Sequence, residues 1–163
     1  MNEITLPDIV SSIAGGAITL AGFAAVFRAF SGKLDPDGHS RVRLNSVIEG
    51  GLLIAFICYL PVLLHELFHD SFDVWEMSCL LILIWGILRI AIPSGKVLIM
   101  RVALPSLYVP VVLCGLISII AALLNLFSIS PFSPYSTYLL SLVALFANVC
   151  LVFIAQFRVE WDG

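Results

Sequence analysis

The chain has 163 residues, of which 61% are hydrophobic and only 12% are charged. Water-soluble domains carry roughly 25% charged and 45–50% apolar residues, so too few polar residues remain here to cover a surface that faces water. The net charge of −3 does not indicate a basic surface for nucleic acid, so we expect no nucleic acid partner. The composition predicts an integral membrane protein.

Five apolar segments are long enough to cross a bilayer as helices, which takes about 20 residues at roughly 1.5 Å rise per residue. They are continuously apolar and not alternating, which favours helices over the strands of a barrel. The sequence therefore predicts an all-α integral membrane protein with a single membrane domain over residues 1–163. We expect a bundle of five transmembrane helices that span approximately residues 9–30, 44–64, 74–92, 102–127 and 135–157.

The first segment is rich in small residues, and Ala17, Ala21 and Ala25 recur at every fourth position. Such a stripe allows another helix to approach closely. The partner is a helix of the same chain, which we favour, or a helix of a neighbouring subunit.

The second segment carries Glu49 about one turn from its start. A carboxylate at this depth is costly unless it is paired or solvated. Arg28 and Arg89 lie at similar depth near the ends of the first and third segments, so we predict a cluster of Glu49 with one or both arginines. This cluster is a structural ion pair between helices or, alternatively, part of an ion path.

The second and fourth segments each contain a proline, Pro61 and Pro110, which removes one backbone hydrogen bond from its helix. Asn148 lies near the middle of the fifth segment, where an asparagine usually bonds to a neighbouring helix. Trp75, Tyr135 and Tyr138 lie near segment ends and are typical of anchors at the membrane interface.

The second segment is followed directly by His65-Glu66-Leu67-Phe68-His69, which matches the HExxH pattern. On a helix, histidines four residues apart face the same way and can hold one zinc ion. The intervening glutamate, Glu66, would then act as general base on a zinc-bound water in a membrane metallopeptidase.

Zinc in such a site needs a third protein ligand, and the nearest candidates are Asp73 and Glu76 on the same side of the membrane. Asp35 and Asp37 are excluded because the second segment separates them from the histidines. A polar helix end accounts for the same residues, since histidine near a helix C-terminus interacts favourably with the helix dipole. We therefore expect no cofactor, with zinc as the alternative.

The orientation follows from the basic residues. When the five segments alternate in direction, all eight lysines and arginines lie on or near one side of the membrane. The positive-inside rule makes this side the cytoplasm, so the N-terminus is predicted outside and the C-terminus inside.

Several short stretches resemble a group of small bacterial multi-pass inner-membrane proteins that has no known activity. The resemblance covers nearly the full length and rests mostly on apolar stretches: 21–27 (AGFAAVF), 41–44 (RVRL) with Glu49, Leu60-Pro61, 138–142 (YLLSL) and 156–158 (QFR). It implies a location in the bacterial inner membrane and no chemistry.

The leading functional prediction is a non-enzymatic component of a membrane assembly. Its partners would be membrane lipids and either further copies of the chain or another membrane protein. The first alternative is a small ion channel or transporter that uses Glu49, Arg28, Arg89 and Asn148. The second is the zinc metallopeptidase built on His65, Glu66 and His69.

Overall fold

The structure is a computed structural model that describes residues 6–31, 39–68, 74–91, 105–127, 129 and 133–161. Every regular element in this part of the chain is an α-helix, which confirms the all-α class. The helices are α1 (Leu6–Ser31), α2 (His39–Phe68), α3 (Val74–Ala91), α4 (Pro105–Leu126) and α5 (Pro134–Trp161).

Local sequence determines where several helices begin. Helices α4 and α5 both start at a proline, Pro105 and Pro134, which suits the first position because its missing N–H would have no helical acceptor there. Ser133 precedes α5, and its Oγ accepts a hydrogen bond from the backbone N–H of Ser136 at 3.2 Å. This is the usual bond of an N-cap serine.

Neighbouring helices run antiparallel, because residues later in one helix lie beside residues earlier in the next. The pairs that lie side by side are Ala17–Gly51 and Arg28–Ile48 for α1 and α2, Cys79–Asn125 and Gly86–Ile119 for α3 and α4, and Ser118–Ser141 and Val111–Asn148 for α4 and α5. Helix α5 also runs antiparallel to α2, since Tyr138 contacts Ile57 while Phe146 reaches Gly16, next to Ala17. Helices α1, α3 and α5 therefore point one way, and α2 and α4 point the other way.

This alternation places the ends of α1, α3 and α5 and the starts of α2 and α4 at the same end of the bundle, which we call the basic end. By their chain positions, the described arginines in these terminal turns are Arg28, Arg41, Arg43, Arg89 and Arg158. The remaining basic residues, Lys33, Lys96 and Arg101, lie outside the described residues.

Large apolar side chains are exposed on every helix, for example Phe23, Phe56, Ile84, Ile120 and Leu140. Among the described residues, four helices contain an apolar segment long enough to cross a membrane. These segments are Asp8–Phe30, Leu44–Leu67, Val109–Leu126 and Pro134–Ile154. The corresponding segment of α3, Val74–Ile87, is shorter, so the third predicted span, and with it the total of five, stays a prediction.

Helix α1 packs against α2 through buried small side chains, of which Ala14, Ala17, Ala21 and Ala24 are the most enclosed. Ala25, the third member of the predicted stripe, is exposed instead. A step of four residues turns the helix about 40° past a full turn, so steps of four alone leave the contact face, whereas alternating steps of three and four stay on it. The preferred partner, a helix of the same chain, is confirmed for Ala17 and Ala21.

Helix α5 lies at the centre of the bundle and contacts the other four helices. Its inward positions are fully or almost fully buried, and they are Tyr138, Ser141, Leu142, Leu145, Val149 and Val152. The interpretation of Tyr138 as an interfacial anchor is therefore wrong. Three polar residues, Tyr138, Ser141 and Asn148, lie on α5 where it faces its neighbours, and they define the candidate site described next.

Candidate functional site

The hydroxyl of Tyr138 donates a 2.5 Å hydrogen bond to the backbone carbonyl of Ile57 on α2. Ile57 lies four residues before Pro61, which sits inside the continuous helix α2. In a regular helix the N–H at position 61 would bond to this carbonyl, but proline has no N–H. The Tyr138 hydroxyl therefore replaces the missing donor, and the fully buried side chain satisfies a buried carbonyl on another helix.

The ring of Trp75 links Tyr138 to a third aromatic ring, that of Tyr135. The ring centroid of Trp75 lies 4.9 Å from that of Tyr135 in an edge-to-face arrangement and 5.5 Å from that of Tyr138. Edge-to-face aromatic pairs stabilise a fold by about 0.5–1.5 kcal/mol beyond the area they bury. Trp75 lies in the first turn of α3, so this cluster joins the starts of α3 and α5 and holds Tyr138 beside α2.

Helix α4 is joined to α5 and to α3 by buried polar side chains. Ser141 donates to the carbonyl of Ser118 at 2.9 Å, and the two hydroxyl oxygens lie 3.0 Å apart. The amide of Asn125 donates to the sulfur of Cys79 at 3.0 Å. All four side chains are buried, so each bond forms away from water, where an unpaired polar group is unfavourable.

Asn148 crosses from α5 to α4 and donates from Nδ2 to the carbonyl of Val111 at 2.6 Å. A Cβ atom added to Gly115, one turn after Val111, would lie 3.6 Å from the same nitrogen, which is an ordinary van der Waals contact. The prediction that Asn148 bonds across helices is confirmed. Its donor is directed at a backbone carbonyl and not at Glu49 or Arg28.

Arg28 and Glu49 are both exposed, near the basic end of the α1–α2 pair. Arg28 lines a shallow recess with Ala25, Ala29 and Ile48, the residue before Glu49. The side chain of Arg89 lies outside the described residues, and the predicted cluster with Glu49 stays a prediction.

The HExxH segment begins in the last turn of α2. His65 and Glu66 are exposed there, and Glu76 lies in the first turn of α3. His69 and Asp73, two of the four predicted zinc ligands, fall outside the described residues. Among the side chains that are described, no group of three or more His, Cys, Asp or Glu residues is placed to hold a metal ion. The zinc site therefore stays a hypothesis.

The sequence predicted one of the interhelical bonds, that of Asn148, and missed the others. Pro61 was the available signal for the Tyr138 bond, because a proline inside a helix predicts an unsatisfied carbonyl four residues earlier. Nothing in the sequence indicated which side chain on which helix would supply the donor. Ser118 and Ser141 gave no signal, since a serine within an apolar segment can equally bond to its own helix.

Among the described residues, two buried polar side-chain atoms have no hydrogen-bond partner, the Oδ1 atom of Asn45 near the start of α2 and the hydroxyl of Tyr135. Both contrast with the side chains of Tyr138, Ser141 and Asn148 on α5, whose donors all have acceptors. Chemically, the donors of Tyr138, Ser141 and Asn148 are all directed at backbone carbonyls. The arrangement is therefore suited to fixing the positions of helices.

No protein-family model, no curated protein sequence and no solved structure matches this chain.

Proposed function

We propose that this chain is a non-enzymatic component of a membrane assembly, and that it associates with further copies of itself through the outer face of α1. We define this outer face by Gly15, Ile18, Thr19, Gly22 and Val26, which are all exposed. The observation that carries the proposal is the contrast between the glycines on this face and the glycine that packs within the chain.

Packing within the chain explains why position 51 is a glycine. A Cβ atom added there would lie 2.6 Å from the backbone oxygen of Ala17 and 3.0 Å from the Cβ of Ala21. By contrast, a Cβ atom added to Gly15 or Gly22 would meet nothing within 4 Å. Glycine inside a helix is less favourable than alanine by about 1 kcal/mol, so these two residues weaken α1 with no packing gain in the chain itself.

A second helix would provide the packing gain. Gly15 and Gly22 are seven residues apart, and a seven-residue repeat places both on the same line when two helices wrap around each other with a left-handed crossing. Small residues at such positions allow backbones to approach closely, which is the main source of helix association in lipid.

The polar side chains on this part of α1 are compatible with lipid or a partner helix. Thr19 donates to the carbonyl of Gly15 at 2.8 Å, and Ser12 donates to that of Asp8 at 2.7 Å. Because each hydroxyl bonds to its own helix, neither requires water.

The proposal places the chain in the bacterial inner membrane with five spans, the N-terminus outside and the basic end in the cytoplasm. The resemblance to small multi-pass proteins supports the choice of membrane, and the arginines of the basic end support the orientation. For the third span, α3 is 18 residues long. This corresponds to about 27 Å of helix, against a hydrocarbon thickness of roughly 30 Å.

The test is the mass of the protein in lipid nanodiscs, measured by native mass spectrometry for the wild type and for Gly15→Leu/Gly22→Leu. We expect an oligomer for the wild type and a monomer for the variant, because two leucines would hold neighbouring helices apart. Val112→Phe is the matched control, since it adds bulk to an exposed position on α4 and should leave the mass unchanged. A monomeric wild type would refute the proposal.

A further inference from the structure

The recess between α1 and α2 at the basic end is a candidate lipid site. It has a volume of about 300 Å³ and is lined by Ala25, Arg28, Ala29 and Ile48. We propose that it binds one anionic phospholipid, with the phosphate on the Arg28 guanidinium and the first part of an acyl chain against the two alanines and Ile48. The site depends on the proposed membrane location but not on self-association.

The depth of Arg28 matches that of a lipid phosphate. Arg28 lies two residues before the end of the apolar segment Asp8–Phe30, which is about 3 Å of helix. A guanidinium at this level reaches the headgroup region without leaving its recess, and it forms paired hydrogen bonds with phosphate oxygens. The exposed position of Arg28 leaves these donors accessible from the lipid.

The other walls of the recess are apolar and mostly small. Ala25 and Ala29 are one turn apart on α1, and each contributes only a methyl group, while Ile48 closes the opposite side from α2. Small side chains next to a cation leave a groove in which an acyl chain can lie while its phosphate is held. The combination of a charged end and apolar walls fits a phospholipid better than it fits a free anion.

The charges near the recess favour an anionic ligand. By chain position, Arg41 and Arg43 lie in the turns of α2 that precede its apolar segment, so they increase the positive potential at this end. Two acidic residues of the described helices oppose these charges at this end, Glu160 by its chain position in the last turn of α5 and Glu49 on α2, but neither lines the recess. Glu49 lies five residues into the segment that begins at Leu44, about 7.5 Å along the helix, and therefore deeper than Arg28.

The experiment measures lipid binding to the protein in monomeric detergent complexes by native mass spectrometry, with phosphatidylglycerol and phosphatidylcholine added separately. We expect one phosphatidylglycerol to bind about fivefold more tightly than phosphatidylcholine, which is the usual effect of one basic residue near the surface. Arg28→Gln should abolish this preference, and Ala29→Leu should weaken binding by filling the recess while keeping the charge. Arg158→Gln, at the same end of the bundle on α5, is the matched control and should behave as the wild type.

Equal binding of the two lipids, or a preference that survives both Arg28→Gln and Ala29→Leu, would overturn the inference. Full displacement of the lipid by inorganic phosphate would also overturn it, since the apolar walls would then contribute nothing. If Ala29→Leu changed the mass of the assembly in nanodiscs and not the binding of lipid, the recess would be an interface between copies. A wild type that is monomeric in nanodiscs and still prefers phosphatidylglycerol through Arg28 would refute self-association and leave this site intact.

Discussion

The α1–α2 pair and the α4–α5 pair are held together in different ways. Where Gly51 meets Ala17 and Ala21, the helices approach until there is no space for a single added methyl group. Between α4 and α5, polar side chains form the link, through Ser141 to Ser118 and through Asn148 to the carbonyl of Val111. The association of α1 with α2 depends on close packing, whereas the association of α4 with α5 combines packing with hydrogen bonds.

The comparison shows which kind of substitution each pair tolerates. In lipid the hydrophobic effect does not drive helices together, so close packing and interhelical hydrogen bonds are the forces that remain. The stability of a closely packed helix pair decreases when side-chain volume is added and changes little when a polar group is removed. A hydrogen-bonded pair is sensitive to the loss of a donor, and the effect depends on whether the acceptor has another donor.

The largest effect is expected at Gly51. In Gly51→Ala the new Cβ would lie 2.6 Å from the backbone oxygen of Ala17, so the helices must separate, and we expect a loss of about 2–3 kcal/mol in the free energy of unfolding. Gly22→Ala is the matched control for the monomer, because nothing in the chain lies within 4 Å of its added Cβ. At a protein concentration where the micelles hold monomers, it should be neutral or slightly stabilising. Reversible unfolding in mixed detergent micelles measures both, and equal effects would contradict the close packing of α1 on α2.

An intermediate effect is expected at Tyr138. Tyr138→Phe leaves the Ile57 carbonyl without a donor, because Pro61 supplies none, and we expect a loss of about 1–3 kcal/mol in the free energy of unfolding. The decisive measurement is the same substitution in a Pro61→Ala background. There the restored N–H at position 61 can bond to Ile57, so Tyr138→Phe should have a clearly smaller effect. Additive effects of the two substitutions would show that the hydroxyl does not replace the missing helical donor.

A smaller effect is expected at Asn148. The Val111 carbonyl lies inside α4, where the N–H of Gly115 is its ordinary helical donor, so Asn148→Leu removes a second bond and not the only one. We expect a loss of about 0.6 kcal/mol, the average for interhelical hydrogen bonds in membrane proteins. Asn45→Leu is the control: its Oδ1 has no partner, so its removal should be neutral or stabilising. If Asn45→Leu lowered the free energy of unfolding more than Asn148→Leu in the same assay, the prediction would be wrong.

A comparison of Asn45 with Tyr138 also shows how much of the site could be predicted from the sequence. Both are polar residues in apolar segments, and Tyr138 was predicted as an interfacial anchor. Tyr138 is instead fully buried and donates to Ile57, whereas Asn45 holds a buried acceptor without a partner. Their chemistry is visible in the sequence. Their partners are not, because a partner is set by the angle at which two helices cross.

The sequence alone determined the helical class, the apolar segments and the carbonyl left free by Pro61, since these follow from composition, length and the covalent structure of proline. It also indicated the stripe of small residues on α1, although not which of them would face inward. Only the tertiary structure decided that Ala17 and Ala21 meet Gly51 and that Tyr138 reaches Ile57. The physical reason is that apolar segments are alike in composition, so the choice of partner depends on the matching of surfaces in three dimensions and not on any pattern within one segment.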